Sequence, residues 1–267
     1  MKKLSLATAL ITSLFAMGAN AYQYELNVGY ENTDIEDLGD LDTWSASGKY
    51  YLNAVQTKSS PLAEAAFLNR ASNIGLGFVN ASSDGDEDID VYGVSGEFFI
   101  PNSQFYFSGS LNQVDLGDED NTGYTVEAGY LPVNGLLLAL GVSKESLDPV
   151  LVAENGFVTS LGYAGAVGED TTVSTRGKYV TQIGGFYTNF EGVVYFGDET
   201  AYKLGGDLYL DPTLSVGASF ADSTADESET IFGINAKKFF TPQIGVGVAY
   251  TTADDVDSVG INGTFRF

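Results

Sequence analysis

The side chains able to do chemistry in this chain are charged residues at alternate positions of segments whose other face is apolar. They are Lys49, Glu97, Glu127, Arg176, Lys178, Glu191, Lys203, Asp207, Lys237 and Arg266, with Glu25 beside them. Acids and bases spread over one polar surface create a field that favours polar solutes over apolar ones. They do not make a catalytic centre. The chain has no His and no Cys, which removes Ser–His catalysis, thiol nucleophiles and His-ligated zinc together. Glu25, Glu97, Glu127 and Glu191 fall on separate segments and suggest no carboxylate dyad. The run at residues 84–90, Asp-Gly-Asp-Glu-Asp-Ile-Asp, has alternate acids but lacks the Gly and Glu of a calcium loop at the required positions. It reads as a solvated acidic loop. No enzyme activity, cofactor or metal is expected.

The elements that would carry these residues are strands. Apolar and polar residues alternate through segments of about ten residues, and no amphipathic helix of useful length follows residue 70. The phase predicts strands at 22–32, 43–54, 70–81, 89–100, 103–114, 122–131, 135–145, 171–183, 186–196, 200–210, 213–221, 229–240, 243–253 and 256–267. Twelve or sixteen strands remain open. Pro101, Pro132, Pro212 and Pro242 recur just after aromatic strand ends, and the last two are about 30 residues apart, the length of one hairpin. The other connections are acidic, around residues 34–42, 84–90, 115–120, 226–229 and 254–255. Tight turns on one side and long loops on the other, with strands of this length, predict a transmembrane antiparallel up-and-down β-barrel of about 14 strands, with short periplasmic turns and acidic extracellular loops.

The N-terminus fixes the compartment. Met1-Lys2-Lys3, an apolar run over residues 4–17 and Ala19-Asn20-Ala21 form a secretory signal peptide, so 1–21 is expected to be removed and 22–267 to be one barrel domain. Removing those residues takes away Lys2 and Lys3 and no acid, so the net charge falls from −24 to −26. That disfavours nucleic acid as a partner. Only helices and closed barrels cross lipid. A soluble secreted β-protein is the competing class. Ionised groups argue against it, because almost none falls in the middle of an apolar face, where Lys or Arg in lipid costs about 2–4 kcal/mol. Lys238 breaks the phase beside Lys237, and a bulge or an interfacial position is expected there.

Residues 257–267 alternate to the final Phe. This resembles the terminal strand of bacterial outer-membrane barrels, whose last Phe is read by the assembly machinery. The resemblance implies that Phe265 and Phe267 form an assembly signal. Residues 49–78, and most closely Pro-Leu-Ala-Glu-Ala-Ala-Phe-Leu at 61–68, resemble a signature of a porin family of Gram-negative outer-membrane β-barrels. Members often carry a Pro near Ala54 or Val55 and a Gly near Ser60, which this chain lacks. The resemblance implies a water-filled channel for passive diffusion of small hydrophilic solutes and ions, located in the cell outer membrane.

Several expectations follow from that reading. The acidic mouths should favour cations. The long connection at 146–170 should fold inward opposite Arg176 and Lys178 and narrow the pore. The inward glycines, among them Gly129, Gly217 and Gly247, should leave room for water. Residues 62–68 are the one plausible short helix, either a turn packed on the barrel rim or, functionally, a plug or partner contact. The expected partners are outer-membrane lipid and lipopolysaccharide, the barrel-assembly machinery and small polar solutes. A homo-oligomer stays open. The alternative is a structural or adhesive barrel with a largely closed lumen, acting through its loops.

Overall fold

Alternation with a period of two, Gly- or Pro-marked turns and a final strand that can meet the first produce a sheet without edges. The computed structural model describes residues 21–37, 39–58, 60–83, 88–115, 117, 120–144, 171–225 and 228–267. Its strands are β1 (Ala21–Ile35), β2 (Gly39–Gln56), β3 (Asn73–Ser83), β4 (Ile89–Phe99), β5 (Phe105–Asp115), β6 (Asp120–Val133) and β7 (Leu136–Lys144). There follow β8 (Thr172–Ile183), β9 (Phe186–Phe196), β10 (Thr200–Asp211), β11 (Leu214–Ser223), β12 (Ile231–Thr241), β13 (Ile244–Ala253) and β14 (Val256–Arg266). Each pairs antiparallel with its neighbours in sequence, and β14 pairs with β1 to close a 14-stranded barrel. At the seam Glu25 faces Arg266 and Ile35 faces Val256. The Phe267 carbonyl accepts from the backbone N–H of both Gln23 and Tyr24 at 2.8 Å, and its ring stacks on Tyr24 at 5.5 Å.

The two faces differ as the alternation requires. Leu26, Val28, Leu138, Leu140, Val216, Val248 and Ile261 are exposed on the outside, where the barrel meets lipid. Asn27, Ser45, Ser47, Ser174, Asn189 and Asn262 are buried inside. Full closure leaves no unpaired strand edge in the bilayer.

The rim that carries both termini has two-residue turns between β6 and β7, β8 and β9, β10 and β11, and β12 and β13. Gly184 and Gly185 both have positive φ, the geometry a tight hairpin needs. Gly135 also has positive φ, and a side chain there would run into the Val180 carbonyl. The Pro pattern is only partly a turn pattern. Pro132 lies inside β6, at the register shift between Tyr130 and Val133, where a missing N–H is tolerated. Register shifts at Tyr22/Tyr24, Tyr209/Asp211 and Phe239/Thr241 lie on the same rim.

At the opposite rim the first acidic segment is not a long loop. Asp34, Asp40 and Asp42 sit within β1 and β2, which continue as a paired ribbon from Ile35 and Gly39, with a turn at Glu36 and Asp37. Asp34 directly faces both Asp40 and Asp257, and Asp115 faces both Asp90 and Asp120. The expected inward fold of 146–170 lies outside the described residues.

Candidate functional site: a charged lumen closed by an inward turn

The connection between β2 and β3 is the long one on the termini-bearing rim, and it turns into the barrel. Pro61 fixes the entry. Residues 62–68, Leu-Ala-Glu-Ala-Ala-Phe-Leu, contain good helix formers and no β-branched residue. They form a 3-10 turn (Leu62–Glu64) running into one α-helical turn, α1 (Ala65–Leu68). Asn69 ties the end of this segment back to β2, donating to the Gln56 carbonyl at 3.0 Å and to the Ala65 carbonyl at 2.6 Å.

The segment reaches the far wall. Its Leu62 N–H donates to the Pro212 carbonyl at 2.8 Å, in the turn after β10. Glu64 is buried: one carboxylate oxygen lies 3.0 Å from Lys178 Nζ on β8, and the other accepts from Tyr209 OH on β10 at 2.7 Å. Arg266 Nη1 on β14 donates to the Leu62 carbonyl at 2.8 Å. Apolar packing completes the plug. Ala65 and Ala66 pack with Tyr22, Tyr51, Val55 and Ala71, and Phe67 packs with Phe99, Tyr106, Leu131, Leu137 and Ala139. Burying Leu62 and Ala65 against these walls stabilises the inward position by about 1.5–3 kcal/mol for the larger side chain alone. Of the two placements open from sequence, this is the plug.

Aromatic residues inside the barrel at this level were not expected, because the inward set reads as polar. The signal was a local loss of alternation. Tyr50-Tyr51, Phe98-Phe99, Leu208-Tyr209-Leu210 and Phe239-Phe240 place apolar side chains on both faces near the termini-bearing rim, and Tyr51, Phe99, Tyr209 and Phe239 are the inward members. Lys238, the residue out of phase, reaches the same rim, 2.6 Å from Thr213 Oγ1 and 3.5 Å from Asp211.

Above the plug lies a cavity of about 570 Å³ lined by Lys49, Glu97, Glu127, Arg176, Lys178, Glu191, Lys203, Asp207, Lys237 and Arg266, together with Glu25. The charges are not opposed freely across water. Arg176 lies 2.6 Å from Glu127 and 3.2 Å from Glu191, and Lys178 lies 3.5 Å from Glu191. Arg176 also donates to Tyr106 OH at 3.2 Å, Tyr106 donates to Glu97 at 2.7 Å, and Asn73 donates to Glu97 at 3.0 Å. A continuous chain of polar contacts thus runs from Asn73 through Arg176 and Lys178 to Glu64 and Tyr209.

A second group sits half a turn of the barrel away, across the β1–β14 seam. Glu25 faces Lys49 on one side and Arg266 on the other, with Arg266 Nε 2.6 Å from the Glu25 carboxylate. Arg266 points inward but not into water. It is 4% exposed, with its guanidinium 4.6 Å from the Tyr22 ring and 4.5 Å from the Phe239 ring. The plug therefore joins the two groups, through Leu62 on one side and Glu64 on the other.

Asp207 forms a third polar row with Asn189 and Asn235, which donate to its two oxygens at 3.2 and 3.1 Å. The row passes over Gly217, where a side chain would collide with Asp207 and Asn235. Gly129 is likewise filled by Leu137 and Tyr106. These two glycines accommodate neighbouring side chains rather than water, a correction to the expectation drawn from their inward phase. Lys203 shares a register row with Arg176, with Val193 between them, and Lys237 lies over the Phe239 ring at 5.7 Å.

The model of the family described as "Putative general bacterial porin" matches residues 1–267. The chain belongs to this family. Among solved structures, the porin is similar to the outer-membrane protein Omp33 of Acinetobacter baumannii, with a TM-score of 0.74, 32% identity, and 94% of this chain and 100% of that one covered. A KdgM porin in complex with disordered oligogalacturonate matches at a TM-score of 0.46 and 8% identity, covering 91% of this chain and 99% of that one. A mutant porin of Rh. blastica matches at 0.46 and 10%, with the same coverage. No curated protein matches. Family and neighbour place the porin in the outer membrane as a channel-forming barrel.

Proposed function

We propose that this porin forms a water-filled channel for passive diffusion of small hydrophilic solutes and ions, favours cations, and is narrowed at the termini-bearing end by residues 62–68. The observation that carries the reading is the cavity of about 570 Å³ walled by charged side chains inside an apolar exterior. Arg176, Lys178 and Glu191 are ion-paired yet still partly exposed to this cavity, which suits a wet lumen better than an apolar filling. The facing aspartates of the far rim support cation preference, because like charges concentrate counter-ions within a Debye length.

In this reading the termini-bearing rim is periplasmic, residues 1–21 are removed on export, and Phe265 and Phe267, at the outer surface of β14, meet the barrel-assembly machinery and lipid. Liposome swelling with sugars of graded size tests the channel. Swelling that falls off with sugar size is expected, and none at any size would remove the reading. A reversal potential at low salt tests the selectivity, and anion preference would remove that part.

The inward turn favours a second reading, a structural barrel with a closed lumen. It is distinguished by the same assay, since it predicts no uptake.

A further inference from the structure

We infer that Lys178 and Tyr209 form a carboxylate-recognition site in the channel wall, occupied in this structure by the chain's own Glu64, and that small carboxylate solutes displace Glu64 and loosen the turn. The inference rests on the channel reading above.

The geometry is that of a receptor and a tethered ligand. The two donors come from β8 and β10, whereas Glu64 comes from a turn on the other side of the barrel, 145 residues from Tyr209 in sequence. Each donor takes a different oxygen of one carboxylate, at 3.0 and 2.7 Å. Glu191, 3.5 Å from Lys178, belongs to the wall and stays when Glu64 leaves, so the ammonium keeps a partner and its place. Tyr209 is buried and similarly fixed. The site opens to the lumen, because the cavity is lined by Glu64 and Phe67 as well as by Lys178 and Tyr209.

The chemistry selects the ligand class. A neutral sugar hydroxyl can satisfy the phenol but does not replace the closer of the two anions on the Lys178 ammonium. Chloride offers one acceptor centre for two separated donors. A carboxylate supplies both oxygens and the charge, as Glu64 does. Because Glu64 is tethered, it competes at an effective concentration on the order of millimolar, so solute carboxylates act at millimolar levels or above. Displacing Glu64 removes the one acidic side chain of residues 62–68 and loosens a turn that is still held by Leu62 N–H to Pro212, by Arg266 to the Leu62 carbonyl and by Phe67, whose ring lies 5.1 Å from Lys178 Nζ.

The test is single-channel recording of the full chain in planar bilayers, with potassium acetate titrated into potassium chloride against equal additions of chloride. Open probability should rise saturably with acetate and not with chloride. Tyr209→Phe, which keeps the ring and removes one hydrogen bond to Glu64, should raise the open probability measured without acetate severalfold. Glu64→Ala should open without acetate and lose the response. Heat-modifiable mobility on gels checks that each variant is folded. Equal open probability in acetate and chloride overturns the inference, as does an acetate-free open probability in folded Tyr209→Phe equal to that of the wild type. Silence of the wild type in both salts also overturns it. Uptake of neutral sugars by Glu64→Ala then decides separately whether the channel reading stands.

Discussion

Arg266 Nη1 donates to the Leu62 carbonyl at 2.8 Å, so the closing strand of the barrel holds the turn that enters its lumen. The same guanidinium bonds Glu25 across the seam and lies between two aromatic rings. One residue therefore links barrel closure to the position of the plug.

Removing that residue strands a buried carboxylate. Arg266→Met should destabilise the barrel by about 3–5 kcal/mol, whereas the double variant Glu25→Gln, Arg266→Met should recover most of the loss. Urea unfolding in detergent, followed by tryptophan fluorescence, measures both. Equal losses in the single and double variants would show that the ion pair is not the source.

Arg176 neutralises Glu127 and Glu191 within the lumen. Arg176→Met leaves both acids facing the cavity, so the reversal potential should move further toward cations. Glu127→Gln and Glu191→Gln together should move it the other way. Neither shift would be expected if these residues were remote from the ion path.

On the far rim, Asp115 faces Asp90 and Asp120 directly. Like charges opposite one another on a sheet destabilise it by about 0.2–1 kcal/mol per pair, so Asp115→Asn should raise stability slightly at low salt and not at high salt. Asp34→Asn combined with Asp115→Asn should also reduce cation preference. The measurement is reversal potential across a salt series, and the difference from wild type should shrink as salt rises.

Phe267 receives two backbone hydrogen bonds from β1 and stacks on Tyr24. Its own N–H also donates to the Tyr24 carbonyl at 3.0 Å, so deleting it removes four contacts from the seam. The folded fraction, read by heat-modifiable mobility, should fall several-fold, while barrels that do fold should conduct as before.

The strands and their two faces were legible because alternation is a local property. Val28 is exposed and Asn27 buried for the same reason that they are adjacent in a strand. The plug was legible only as a choice between rim and lumen. What decides it are contacts such as Glu64 with Tyr209 and Leu62 with Arg266, which join residues far apart in sequence and depend on barrel circumference. The ion pairs were hidden similarly. Phase assigns Arg176 and Glu127 to the inside, but their meeting depends on the registers of β6 to β9, which put only the small Ala139 and Gly141 of β7 between them. The doubled aromatics, Phe98-Phe99 and Phe239-Phe240, were the available hint that the lumen is dry near one rim.

The central claim is that an aqueous channel is narrowed by an inward turn, and comparative liposome swelling tests it most directly. Full-length porin and a variant with residues 62–68 replaced by a Gly-Ser linker of equal length would be reconstituted at matched folded amounts. The variant should admit small sugars faster and larger sugars that the parent excludes. Identical uptake rates and size limits for the two would contradict the account.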